Sequence, residues 1–205
     1  MKGCRPLSDE EVGLMARSFG GTFAERHKAL FVVEHRTGFR MSELVSLRVG
    51  DVLQHGRLVD ELSVQRRHMK GGKAGKTSGR TLKLHPDARA ALSVWLEGLA
   101  TMLKGTLDPQ TPVFCSRVRN TDTGLRRAIS REQAWRILKE AFQSNERSGT
   151  PGTHAMRKTF ANRVYEKLNH DLGKPPNAMG HANIHATVSS LSFRDEEMDA
   201  AILAA

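Results

Sequence analysis

Tyrosine occurs once in this 205-residue chain, at Tyr165, and aromatic residues together make up only 5% of it. Any chemistry that needs a phenol therefore has a single candidate. Cysteine is nearly as scarce: Cys4 and Cys115 form no C-x-x-C pair and share no metal-ligand spacing with the histidines. Neither a disulfide framework nor a structural zinc site has support, and a reducing compartment is the simpler setting. The N-terminal MKGCRPLSDEE lacks the apolar core of a signal peptide, and no run approaches the roughly 20 apolar residues of a membrane span. A soluble, cytoplasmic protein with no membrane partner is expected. Low-complexity tracts and internal repeats are also missing. The last shortage is of negative charge: 22 acidic residues face 32 lysines and arginines, for a net charge of +10. Such a chain attracts polyanions, nucleic acid among them, although many other basic proteins share this balance.

With 39% hydrophobic residues, the chain can bury the core of one domain. Ser8 followed by Asp9, Glu10 and Glu11 reads as a capped helix start, and AERHKALFVVEHRT as a second helix stopped by Gly38. Ser42 is placed to cap SELVSLRV. The period then shifts to alternation in GRLVDELSVQ and TLKLHP, separated by a Gly- and Lys-rich turn, which predicts a β-hairpin or a small three-stranded sheet. HPDARAALSVWLEGLA returns to helical period with Pro86 in its first turn. A basic loop, RVRNTDTGLRRAISR, leads into REQAWRILKEAF, capped by Ser130, with Trp135, Leu138 and Phe142 as its apolar stripe. The expected fold class is mainly α (α+β), helical with one small antiparallel sheet.

Three stretches hold residues suited to chemistry. In TGFRMSEL, Arg40 falls between a helix stop and a helix start, with Glu43 able to brace it. Taken alone, it fits a surface ion pair or a phosphate-directed guanidinium. In GTHAMRKTFANRVYEKL, Met156, Phe160, Val164 and Leu168 recur at i+4. His154 and Arg157, three apart, then share a side near the helix start; taken alone, the pair fits an anionic phosphorus centre or a solvated face flanking a core helix. In NAMGHANIHATVSSLSF, His181 sits in a turn and Ser190 opposite the stripe of Ile184, Thr187, Val188 and Leu191. Trp95 and Trp135 read as core residues rather than base-stacking platforms.

The order of these pieces is more specific than any one of them. TG-x-R-x-SE, a Lys-bearing hairpin, H-x-x-R opening a helix, then GH some two dozen residues later, resembles the catalytic domain of the tyrosine recombinases, or phage integrase family, from about Leu7 to the C-terminus. The resemblance implies the DNA breaking-rejoining fold and a site for double-stranded DNA. Arg40 and Arg157 would clamp the scissile phosphate, His154 and His181 would assist by hydrogen bonding and proton transfer, and Glu43 would support. A hairpin lysine would protonate the leaving 5′ oxygen; Lys70 is chosen, with Lys73 and Lys76 as alternatives. No metal or other cofactor is implied. Arg66, Arg67, Lys73, Lys76 and Arg80 around the hairpin, and Arg117, Arg119, Arg126, Arg127 and Arg131 later, are expected to contact the DNA backbone. The C-terminal RDEEMDAAILAA reads as an amphipathic helix that packs on its own domain or docks on another protomer.

The pattern departs from the family at its nucleophile. The family's tyrosine follows GH by about nine residues, and that count from His181 lands on Ser190. A serine alcohol ionises less readily than a phenol of pKa about 10, and its side chain is shorter. Three readings follow: a tyrosine deliberately replaced, a natural copy that binds without cutting, or a weakly nucleophilic Ser190. Pro175 and Pro176 also stand where a helix usually runs into GH, and Lys83 where a proline commonly ends the hairpin. The family's N-terminal DNA-clamping domain is expected to be absent, leaving residues 1–205 as a catalytic domain.

Overall fold

The computed structural model describes residues 5–64, 80–144 and 153–168. Helix α1 (Asp9–Ser18) begins with the expected cap: Glu11 N–H donates to Ser8 Oγ at 3.2 Å, and Ser8 N–H to Glu11 Oε2 at 2.9 Å. Helix α2 (Ala24–Thr37) is the axis of the core. It buries Ala29, Leu30, Phe31, Val32 and Val33 in succession, because helix α5 (Pro86–Leu103) packs on one side of it and helix α7 (Thr153–Lys167) on another. A helix enclosed in this way loses the clean apolar stripe that marks a surface helix. Gly38 ends it with φ 57°, and its N–H returns to Glu34 O at 2.8 Å. A β-carbon at Gly38 would lie 2.5 Å from Phe160 Cδ1, so that close approach to α7 also requires glycine.

After the turn come the single helical turns α3 (Met41–Val45) and α4 (Val49–Val52). The cap of α3 is Arg40, not Ser42, because Arg40 N–H donates to Glu43 Oε2 at 2.7 Å. Among the described residues the strands form separate two-stranded antiparallel ladders, the hairpin pairing rather than a three-stranded sheet. Strands β1 (Leu53–Gln54) and β2 (Arg57–Leu58) make the first; β3 (Glu61–Val64) and β4 (Arg80–Lys83) make the second, with Val64 opposite Arg80. Leu62 and Val64 face the core, and Glu61 and Ser63 face out. Residues 59–60 interrupt the run read as one strand.

His85 caps α5, its Nδ1 accepting from Asp87 N–H at 3.1 Å, with Pro86 opening the helix. Trp95 on α5 is buried and donates its indole N–H to Val113 O at 2.7 Å. The basic stretch expected as a loop is instead a hairpin of β5 (Cys115–Arg119) and β6 (Arg126–Ala128). Its turn is closed by Asn120, whose side-chain oxygen accepts from Asp122 and Thr123 N–H, and by Gly124 at φ 68°. Ser130 caps helix α6 (Arg131–Gln143). Ala134, Leu138, Ala141 and Phe142 form its buried face, whereas Trp135 is half-buried, displaced from the stripe by the smaller Ala134. The architecture is mostly helical with small antiparallel ladders, as the sequence suggested.

Candidate active site

The site grows out of the last residue of α2 and the three residues that join it to α3. Thr37 and Phe39 are buried, Gly38 reverses the chain, and Arg40 emerges half-buried at the helix start. Arg40 Nη1 donates to Glu43 Oε1 at 2.9 Å, and the other Glu43 oxygen takes the Arg40 backbone N–H. Glu43 is fully buried while the Arg40 side chain is 31% exposed, so the carboxylate acts as a fixed post and the guanidinium keeps an open face.

Arg157 approaches the same turn from α7. It is buried, and its Nη1 donates to Gly38 O. Burial and then the nearby Arg40 charge push its pKa down to about 10, with Glu43 and Glu34 opposing. It keeps its proton at pH 7. Beneath it, Glu34 is buried on α2, and burial holds its carboxyl well above the usual range against the pull of Arg157. His154, one turn before Arg157, is exposed.

Arg80 departs from the sequence expectation of an exposed backbone contact. Its side chain is buried; it donates to Gly38 O at 3.3 Å and to Thr37 O, and it lies against the rings of Phe39 and Phe160 at 4.7 and 5.8 Å from their centroids. Sequence reasoning missed this role, since the only signal was a position opening a strand whose neighbour Thr81 faces solvent. Three guanidinium groups thus gather around one turn, with Arg40 ion-paired to Glu43. That excess of positive charge, fixed before any ligand arrives, suits a phosphate group.

Of the other candidates, Arg127 and Arg131 are exposed, with Arg127 on β6 and Arg131 opening α6. Arg119 stands directly across the β5–β6 ladder from Arg126, and Arg117 is exposed on the same hairpin. Under the hairpin, the buried Arg26 donates to Cys115 O at 2.5 Å, its pKa lowered to about 10 chiefly by burial. Lys70, His181 and Ser190 lie outside the described residues, as do Arg66, Arg67, Lys73, Lys76 and the C-terminal RDEEMDAAILAA. Tyr165 is on α7, packed with Phe160 and Ala161. Among the described residues, no three His, Cys, Asp or Glu side chains group as metal ligands, and no helix is long and apolar enough to cross a membrane.

Known proteins bear out the resemblance. The chain is 29% identical over 193 residues to the tyrosine recombinase XerD of Mycobacterium leprae, covering 89% of this chain and 55% of that protein. It is 24% identical over 196 residues to the tyrosine recombinase XerC of Caldanaerobacter subterraneus, covering 96% of this chain and 49% of the other. The chain spans about half the length of these relatives. Among solved structures, the XerA recombinase superposes with a TM-score of 0.72 at 19% identity, over 97% of this chain and 62% of that one. XerH bound to palindromic difH substrate, in a post-cleavage complex, superposes with a TM-score of 0.69 at 21% identity, over 96% of this chain and 51% of that one. These likenesses establish the fold as that of tyrosine recombinase catalytic domains. The sequence matches the Phage integrase family over residues 7–190, and the chain belongs to that family.

Proposed function

We propose that this chain is the catalytic module of a site-specific DNA recombinase, with an intact phosphate clamp and no nucleophile. The carrying observation is the convergence of Arg40 and Arg157 on the Gly38 turn, with Arg40 fixed by the buried Glu43. In this reading the two guanidinium forks bind the non-bridging oxygens of the scissile phosphate, and His154 and His181 complete its hydrogen bonding. In the parent reaction a tyrosine hydroxyl gives its proton to a pocket histidine and its oxygen attacks phosphorus, the bond to the 5′ oxygen breaks, and Lys70 gives that oxygen its proton. Ser190 cannot form the phosphotyrosine, and Tyr165, packed on α7, does not replace it. The chain as it stands therefore holds double-stranded DNA without cutting it, which also makes a DNA-binding regulator derived from an integrase the second reading, favoured by Ser190 itself.

The test uses duplexes selected from a random pool by the chain's own binding, then nicked to trap an intermediate. Ser190→Tyr is expected to give a covalent protein–DNA complex that Arg40→Ala removes. Binding without capture by the tyrosine version favours the regulator.

The β5–β6 hairpin supplies the proposed backbone contacts. Like charges directly opposite on a ladder are destabilising by a few tenths of a kcal/mol, so the Arg119–Arg126 pair weakens the free protein. It fits a phosphate-facing ribbon, with Arg127 and Arg131 beside it. Arg119→Gln is expected to raise the melting temperature slightly while reducing the salt dependence of DNA binding by about one phosphate contact. An unchanged salt slope would remove Arg119 from the interface.

A further inference from the structure

Arg80 opens β4, yet its side chain leaves the ladder and reaches a turn some forty residues earlier in the chain. There it holds two consecutive carbonyls, Thr37 O and Gly38 O. Among the described residues its Nε has no partner, and no carboxylate is bonded to its side chain. An aliphatic side chain would fill the slot between Phe39 and Phe160 without the desolvation cost of a buried cation. The arrangement therefore needs a reason beyond packing. Gly38 O supplies one, because it accepts from Arg80 and from Arg157 alike.

We propose that Arg80 is a positioning residue of the phosphate clamp: its fork fixes the Thr37–Gly38 carbonyls, and through them the direction of Arg40 and the seat of Arg157. This rests on the clamp reading of Arg40 and Arg157. Arg80 is too deeply buried to touch the phosphate, at 5% exposure, but its charge adds to the field at the site. Charge alone is not its contribution. A lysine at position 80 has the same charge but lacks the planar fork that spans two carbonyls.

The experiment titrates the ¹⁵N-labelled chain with inorganic phosphate and follows the arginine Nε–H resonances. The unsubstituted chain, Arg40→Ala, Arg80→Lys and Arg80→Met are compared at a temperature where each is folded. Saturable shifts of Arg40 and Arg157 are expected in the unsubstituted chain, and loss of the Arg157 shift in Arg40→Ala. Both Arg80 variants are expected to bind phosphate about tenfold more weakly, the equivalent of one charge-assisted hydrogen bond. A purely structural Arg80 would lower the melting temperature and leave phosphate affinity unchanged, which overturns the proposal. Full retention by Arg80→Lys overturns the fork. If phosphate shifts neither Arg40 nor Arg157 in the unsubstituted chain, the clamp reading fails first and Arg80 has nothing to position. Should the variants not fold, the unsubstituted chain still decides: slow rotation of the Arg80 guanidinium before phosphate is added is required, and freely averaging Nη protons refute it.

Discussion

In a Ser190→Tyr chain, Arg157→Ala is expected to slow covalent capture of nicked duplex by about 10²–10³-fold, the usual loss when one preorganised donor to a developing anion is removed. Arg157 warrants that figure because its guanidinium is oriented before DNA arrives, buried on α7 with one arm on Gly38 O. Water cannot restore the charge, since the site is shielded where Arg157 enters it. The same substitution leaves Glu34 and Glu43 with less counter-charge, and it removes the pull of Arg157 that opposes the burial-raised pKa of Glu34. Arg157→Lys keeps the charge without the fork and should fall between the two rates. Single-turnover capture on denaturing gels gives the numbers, with urea midpoints to confirm folding. A rate within threefold of the parent would take Arg157 out of the clamp.

Acidification from pH 7 to pH 4 is expected to remove about 3 kcal/mol of stability through His35 alone, each pKa unit being worth about 1.4 kcal/mol. His35 is 2% exposed on α2 and its pKa is pushed down to about 3. Burial is the main cause; the Nδ1 contact with Phe31 O opposes it, the charges of Arg163 and Arg36 add to it, and Asp87 opposes. Because the folded value lies below the unfolded value near 6.5, the unfolded chain takes up the proton first. The stabilisation is complete above about pH 6.5 and is lost as pH falls from there toward 3. His27, lowered to about 4 by burial and Arg26, acts in the same direction. Urea midpoints across this range, for the parent and His35→Leu, provide the check. The variant should lose much less stability in acid, and an equal loss in both would place the acid sensitivity elsewhere.

What the sequence revealed was mostly what is local in the chain. Arg40 and Glu43 are three residues apart, and the ion pair joins them across a single helical turn. The Ser8 and Ser130 caps were legible for the same reason. Ser42 misled because the cap depends on which residue first leaves helical geometry, and the Glu43 bond to Arg40 N–H set that point two residues earlier. The basic stretch around Asn120 lacked alternating apolar residues, so its hairpin, with Val118 exposed at 59%, gave no strand signal except its turn residues. Arg80 was the least legible of all. Its partners, Thr37 and Gly38, belong to another element, and only the folded chain brings them together. Composition counts Arg80 with the exposed arginines, whereas tertiary structure puts it in the core.

The claim that the clamp is complete and only the nucleophile is missing meets its most direct test in a single measurement. Ser190→Tyr and the unsubstituted chain are each reacted with the nicked, self-selected duplex, and the protein is digested and mapped by mass spectrometry. A nucleotide adduct on residue 190 of the tyrosine version, with none on the unsubstituted chain, is the expected result. A tyrosine version that binds the duplex yet forms no adduct, or an adduct on Tyr165 instead, contradicts it.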